Sequence, residues 1–179
     1  MNEKTLEFTV DSQLLGELGE RLVTRNYIAL SELVKNAYDA DATKIIIRFI
    51  NTKRGGTKAE DGEIHLIDDG HGMTFKQVED YWMRIATPYK VREPISPIFG
   101  RKKTGDKGIG RFACRRLAKK LIIETIAKAP DSEEVEWTKM EFDWENFKPG
   151  TTLTEIPCEY QTKRLKRGKL VLRLGNNLT

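Results

Sequence analysis

Three short stretches of this sequence combine residue types and spacings that could do chemistry. In the first, Glu32, Asn36 and Asp39 fall at i, i+4 and i+7, which puts them on one side of a helix. A carboxylate there can orient a water molecule or accept its proton. An Asn side-chain oxygen is a hard ligand suited to Mg²⁺, which takes few protein ligands and keeps its waters and substrate phosphates. Taken alone, the same pattern describes the solvated side of any helix. The second stretch is Asp68-Asp69-Gly70-His71-Gly72-Met73. Its alternate glycines allow a sharp turn and close approach to a flat ligand. Asp68, an acceptor-only carboxylate, could take a hydrogen bond from an exocyclic amine, although a plain Asp-Gly turn has the same composition. The third is Gly105-Asp106-Lys107-Gly108-Ile109-Gly110. Glycines leading into a helix N-terminus offer backbone N–H groups to a phosphate, and Lys102, Lys103 and Lys107 add positive charge. A turn capping a basic helix would look alike. No GxxxxGK[ST] loop occurs, and a GxxGxG spacing after an irregular segment is not a dinucleotide fingerprint.

These residues need elements to hold them. Leu30, Leu33, Val34 and Ala37 form an apolar stripe that predicts a helix over 27–40. Residues 44–50 and 64–67 are short and rich in β-branched residues, so both read as strands, joined by a long hairpin loop over 51–62. Asp68 then stands at a strand end. Thr74 and Gln77 have the spacing of a capping box, with Met73 and Val78 as its staple, so a helix starts at Thr74. Residues 84–108 mix Pro88, Pro94, Pro97, Gly100 and Gly105 with many charges and show no period. A loop this long in a compact domain reads as a lid or binding loop. Residues 109–119 read as a further helix, and 121–126, 135–142 and 151–156 as strands. The class is therefore α/β, a two-layer arrangement of a mixed sheet with helices on one face.

The 179 residues suit one domain with a single core. With 39% hydrophobic and 32% charged residues the composition is that of an ordinary globular protein. No apolar run approaches the roughly 20 residues of a membrane-spanning helix, and MNEKTLEFTV lacks the apolar core of a secretory signal. Cys114 and Cys158 are too few for a disulfide framework and lack zinc-site spacing. Reduced thiols in a cytoplasmic protein are expected. The net charge of +4 is unevenly spread. Nine Lys or Arg fall in residues 101–120 against Asp106, and seven acids in 131–145 against Lys139. A last basic cluster includes Lys163, Arg164, Lys166, Arg167, Lys169 and Arg173. Such clusters are more often solvated faces, and nucleic acid is the partner they would otherwise suit.

Taken in order, the three stretches resemble the ATP-binding boxes of the GHKL superfamily: gyrase B subunits, the heat-shock chaperone ATPase, sensor histidine kinases and the mismatch-repair protein MutL. ELVKNAYDA, from Glu32 to Ala40, resembles the N box. Residues 68–73 resemble the DxGxG box, and Gly105, Gly108 and Gly110 the third glycine box. A fainter fourth box is similar to Gly150-Thr151 and the alternating residues up to Ile156. The resemblance covers residues 28–156.

It implies a Bergerat-type ATP-binding fold holding ATP and Mg²⁺ between helices and sheet. Glu32 would be the water-orienting base and Asn36 the Mg²⁺ ligand, with Asp39 beside the nucleotide. Asp68 would bind the adenine amine, Thr151 would reach it through water, and Gly70, Gly72 and Met73 would line the base. Residues 84–110 would form a lid whose Lys103, Gly105, Lys107, Gly108, Ile109 and Gly110 meet the phosphates. The implied activity is ATP hydrolysis driving a conformational or dimerisation cycle, with an ATP-dependent homodimer in the full-length protein.

Within the superfamily, ELVKNAYDADA and GDKGIGRFA look closest to the chaperone, MutL and MORC-like branch. The alternatives are a histidine kinase catalytic domain and a nucleotide sensor without turnover. Kinases usually carry a GxGLGL-type box, and His65 and His71 suit no phosphoacceptor role. Glu32 favours hydrolysis over both alternatives. Related members draw a γ-phosphate cation from a following domain, so either such a domain follows here, the favoured reading, or one of the Lys or Arg residues in 163–173 takes that role. Residues 1–160 are expected to form the ATP-binding domain. The basic segment 161–179 is expected to lead onward.

Overall fold

The structure is a computed structural model that describes residues 9–22, 25–52, 62–85, 89–104, 110–130 and 132–166. The periodic stretch forms helix α2, Asn26–Asp39, preceded by α1, Gln13–Leu22. Small residues let α2 approach its neighbours closely: Ala29 is fully buried against Ala113, with Ile28 and Leu117 packed around them. Strands β1 (Ile45–Ile50) and β2 (Glu63–Asp68) pair antiparallel, with Ile45 opposite Asp68. The expected hairpin holds, and residues 53–61 of its loop lie outside the described residues.

The capping box at Thr74 is formed. Thr74 Oγ1 accepts from the Gln77 amide at 3.2 Å, and Gln77 Oε1 accepts from the Thr74 amide at 2.9 Å. The helix it starts, α3 (Phe75–Gln77), passes directly into a π-helical turn, Val78–Met83. That turn buries Val78 against Met140 and Phe142, and Met73 and Trp82 pack on the same cluster.

Strands β3 (Lys120–Lys128), β4 (Glu134–Asp143) and β5 (Glu159–Lys166) form a second antiparallel sheet in that order. Register sets Leu121, Ile123, Thr125 and Ala127 opposite Phe142, Met140, Thr138 and Glu136. This face carries the buried positions, whereas Ile122 on the other face is 54% exposed. Between sheet and α1 lies an aromatic cluster of Phe112, Trp144 and Phe147 with Leu15 and Cys114. The result is an α/β fold with helices on one face of the three-stranded sheet.

Several expectations are corrected. Every ladder among the described residues is antiparallel, in two sheets, where a single mixed sheet was expected. Residues 151–156 are not a strand. Thr152 makes an isolated bridge to Asp11, then Leu153–Glu155 form a 3-10 turn. Thr152 and Glu155 are three residues apart and close a capping box, and this local bonding overrides the period-2 alternation. The unforeseen strand is β5, whose residues are nearly all exposed and so present no apolar alternation. Its pairing with β4 holds it, with Arg164 Nε 3.5 Å from Glu136 across the strands and Tyr160 stacked on Phe75 of α3 at 4.8 Å. It runs past residue 160 and carries the sheet into the basic segment. The helix expected over 109–119 is a 3-10 turn, Gly110–Ala113, followed by α5, Cys114–Leu117. Extended backbone at Ala118 ends it, and Ile109 lies outside the described residues.

Candidate functional site

The 68–73 turn and the 94–104 segment meet at four consecutive residues, 39–42, at the end of α2. Asp39 Oδ1 accepts from the backbone amide of Thr104 at 2.7 Å and from its hydroxyl at 3.0 Å. The Ala40 carbonyl accepts from the amide of His71 at 2.8 Å. Asp41 accepts from the Ser96 hydroxyl and the amides of Ile98 and Phe99. The Ala42 carbonyl accepts from Arg101 Nη1 at 2.7 Å. The helix thus holds the 68–73 turn with one residue and the segment before the third glycine stretch with three. Asp39 and Asp41 are both buried, and each carboxylate is satisfied by hydrogen bonds, as burial of a charge requires.

The glycines of the second stretch serve this docking. A Cβ on Gly70 would meet the Ala40 carbonyl at 2.6 Å. Gly72 has φ +67°, and a Cβ there would lie 1.9 Å from the Ile126 carbonyl. Their close approaches are to the protein's own backbone, where the sequence suggested a ligand. The next residue, Met73, donates its amide to Thr125 Oγ1 at 2.8 Å and packs on the Val78 cluster. Asp68 is exposed at the end of β2, and its Oδ1 accepts from the Gly70 amide at 2.9 Å.

On α2, Glu32 forms an ion pair with Lys35 at 2.8 Å and stays 28% exposed, so water reaches its carboxylate. Asn36 is exposed one turn further on. Lys103 is no open cation. Its side chain is only 3% exposed, its ammonium bonds Tyr89 Oη at 3.0 Å, lies 4.3 Å from the centre of that ring and faces Glu93 at 3.7 Å. Burial and the Glu93 carboxylate push the Tyr89 phenol up to about 12, so it stays protonated. Thr151 is not brought into this group by its hydrogen bonds, which join it to Lys148 and Ser12. Gly105, Lys107, Gly108 and Ile109 lie outside the described residues, and Gly110 opens the 3-10 turn before α5. The expected lid contains structure of its own: α4 (Tyr89–Arg92) and a small hairpin bridged at Ile95 and Lys102.

Sequence reasoning passed over Asp41, Arg101 and Asp69. The signal for Asp41 is its place directly after the helix, where its φ of +64° suits few residues besides Gly, Asn and Asp. Asp69 is a staple between β2 and β1. It accepts from the Thr43 hydroxyl at 2.6 Å, the Lys44 amide at 2.8 Å and the Thr43 amide at 2.7 Å. With the Thr43 hydroxyl and Lys44 amide foremost, these donors hold its carboxyl at about 2, below the ordinary 3.8. A folded-state value below the unfolded one means the contribution to stability is fully present above about pH 4 and is lost as pH falls through about 2. Urea midpoints measured stepwise over that window should therefore fall more steeply in the parent than in Asp69→Asn. Parallel slopes would show that Asp69 adds no pH-dependent stability.

An open recess of about 460 Å³ lies against the same turn, lined by His71, Gly72, Thr74, Gln77, Tyr81 and Lys128 among others. Another, of about 320 Å³ and lined by Arg115, Lys119, Trp144 and Phe147, contains none of the predicted residues. Neither cysteine is paired. Burial pushes the Cys114 thiol up to about 12, which leaves it inert. No helix among the described residues is long and apolar enough to cross a membrane.

The family model for histidine kinase-, DNA gyrase B-, and HSP90-like ATPases matches residues 24–169, and the chain belongs to that family. It is a GHKL-type ATP-binding domain, with ATP as its ligand. Over 113 residues it is 30% identical to a "Putative type II restriction enzyme HgiDII" of Herpetosiphon aurantiacus. The matched region is 63% of this chain, which spans 17% of that protein.

Proposed function

We propose that the chain hydrolyses ATP in a Mg²⁺-dependent manner and that binding and turnover drive a conformational or dimerisation cycle of the full-length protein. The observation that carries this reading is the junction at residues 39–42, where the end of α2 holds both the 68–73 turn and the 94–104 segment. A nucleotide lying along this junction would have its base at Asp68 and its phosphates toward Asn36 and Thr104. Among the described residues no cluster of three His, Cys, Asp or Glu side chains could cage a metal. The donors present suit a cation that takes one amide oxygen, from Asn36, and completes its shell with phosphates and water, which fits Mg²⁺. When bound, the ion would neutralise charge on the phosphate oxygens.

Glu32 lies one turn before Asn36 on α2. Lys35 fixes its Oε1, which leaves Oε2 to orient a water. ATP hydrolysis separates this reading from a kinase or a sensor, neither of which needs a water-orienting carboxylate. The N-box sequence ELVKNAYDADA supports a reading nearest the chaperone, MutL and MORC-like branch, and a cytoplasmic location goes with that reading. A nucleic-acid partner for the full-length protein is supported by the named restriction-enzyme relative and by Lys163, Arg164 and Lys166 on exposed β5.

The metal assignment has its own test. Asn36→Ala is expected to weaken binding of a non-hydrolysable ATP analogue by about 10–100-fold in Mg²⁺, the worth of one contact to a charged group. Without Mg²⁺ it should change affinity little. Calorimetric titrations with and without the ion measure both values, and equal losses in the two conditions would remove Asn36 as the ligand.

A further inference from the structure

Asp41 stands at φ +64°, a conformation that costs an ordinary side chain and that glycine adopts freely. What offsets that cost is visible in its contacts. Oδ1 accepts from the Ser96 hydroxyl at 2.5 Å and the Phe99 amide at 3.2 Å, and Oδ2 accepts from the Ile98 amide at 2.8 Å. Ser96 is itself buried, and its oxygen accepts from the Arg101 amide at 2.8 Å, so the carboxylate's grip passes to the far side of the hairpin. Arg101 closes the clamp from the other direction. Its guanidinium bonds the carbonyls of Tyr38, in the last turn of α2, and of Ala42, just beyond it, and lies over the rings of Tyr38 and Phe99. The hairpin is also tied internally, by Ser96 N to Arg101 O and Lys103 N to Pro94 O, both at 2.8 Å. Residues 94–102 are therefore fastened to α2 as one block.

We propose that Asp41 is a positioning residue for the nucleotide: by fastening the hairpin to the end of α2, it fixes Lys103 and Thr104 beside Asp39, one turn from Asn36. This rests on the ATP reading given above. Thr104 spends its amide and hydroxyl on Asp39, and Lys103 is tied to Tyr89 and Glu93. What Asp41 sets is therefore the placement of this packed corner beside Asn36, and the effect falls on recognition of the phosphates and spares the base. Backbone need alone would be met better by glycine, and glycine lacks the carboxylate that holds the hairpin.

Asp41→Gly separates these roles, because it relaxes the backbone and removes only the acceptor. Without nucleotide, hydrogen exchange at the amides of Ile98 and Phe99 should quicken by roughly tenfold, while the thermal midpoint stays close to the parent's. Affinity for a non-hydrolysable ATP analogue with Mg²⁺ should fall roughly tenfold, and affinity for adenosine should stay within about twofold. Asp41→Asn, whose oxygen still accepts from Ser96 and Phe99, should fall between. Ser96→Ala, which removes the donor from the hairpin side, should reproduce the loss. Unchanged exchange in Asp41→Gly would overturn the fastening. Faster exchange with parental selectivity between the analogue and adenosine would overturn the positioning role. A parent that binds no ATP analogue would overturn the nucleotide reading and the positioning role with it, while exchange would still decide whether Asp41 fastens the hairpin.

Discussion

Asp68→Asn is expected to lose ATP binding altogether while keeping the fold. Asp68 Oδ1 accepts from the amide of Gly70 at 2.9 Å and so shapes the turn after β2. An Asn oxygen can keep that bond. The second carboxylate oxygen is the group left to accept from the adenine amine, and Asn replaces it with an NH₂ donor. Donor then faces donor, and the site's polar groups are left mispaired on binding. Sites built around one such hydrogen bond reject the wrong partner by factors of about 10⁴–10⁵, so calorimetric titration with a non-hydrolysable ATP analogue should show no saturable heat. Parental affinity in Asp68→Asn would remove the adenine assignment.

Local signals in the chain were read well where one element answers to one pattern. The stripe Leu30, Leu33, Val34 and Ala37 gives α2, the β-branched run gives β1, and Thr74 with Gln77 gives the capping box. The family could be seen from its boxes because their order survives without any knowledge of packing. What could not be read depends on pairings across the chain. Strand β5 has no apolar face, and only its register with β4 defines it. The alternation at 151–156 lost to a capping box between Thr152 and Glu155. Lys103 was expected to add positive charge beside the third glycine stretch and, by the resemblance, to meet the phosphates. Its burial follows from Tyr89 and Glu93, which the π-helical turn and α4 bring to it. The close approaches that Gly70 and Gly72 allow are to the carbonyls of Ala40 and Ile126, partners that the sequence alone does not name. Asp41 resembles any aspartate after a helix until its partners, 55 to 58 residues away, are known.

Glu32→Ala is expected to bind MgATP about as well as the parent and to hydrolyse it more slowly by roughly 10²–10⁴, the usual worth of a positioned general base. Phosphoryl transfer depends chiefly on positioning and electrostatics, so a lost water-orienting carboxylate shows in rate before affinity. The substitution is mild for the fold, since Glu32 is a partly exposed helical residue and Ala has the highest helix propensity. The Lys35 ammonium loses its partner, but such exposed pairs contribute little to stability. The deciding measurement is phosphate release under saturating MgATP, parent against Glu32→Ala, in the longest chain that can be prepared. Parallel titrations with the ATP analogue should show that both bind. A fall of at least about a hundredfold in release at near-parental affinity is the result expected for a hydrolase of this design. Release at the parental rate would reduce Glu32 to a solvated helix residue paired with Lys35 and contradict the catalytic reading.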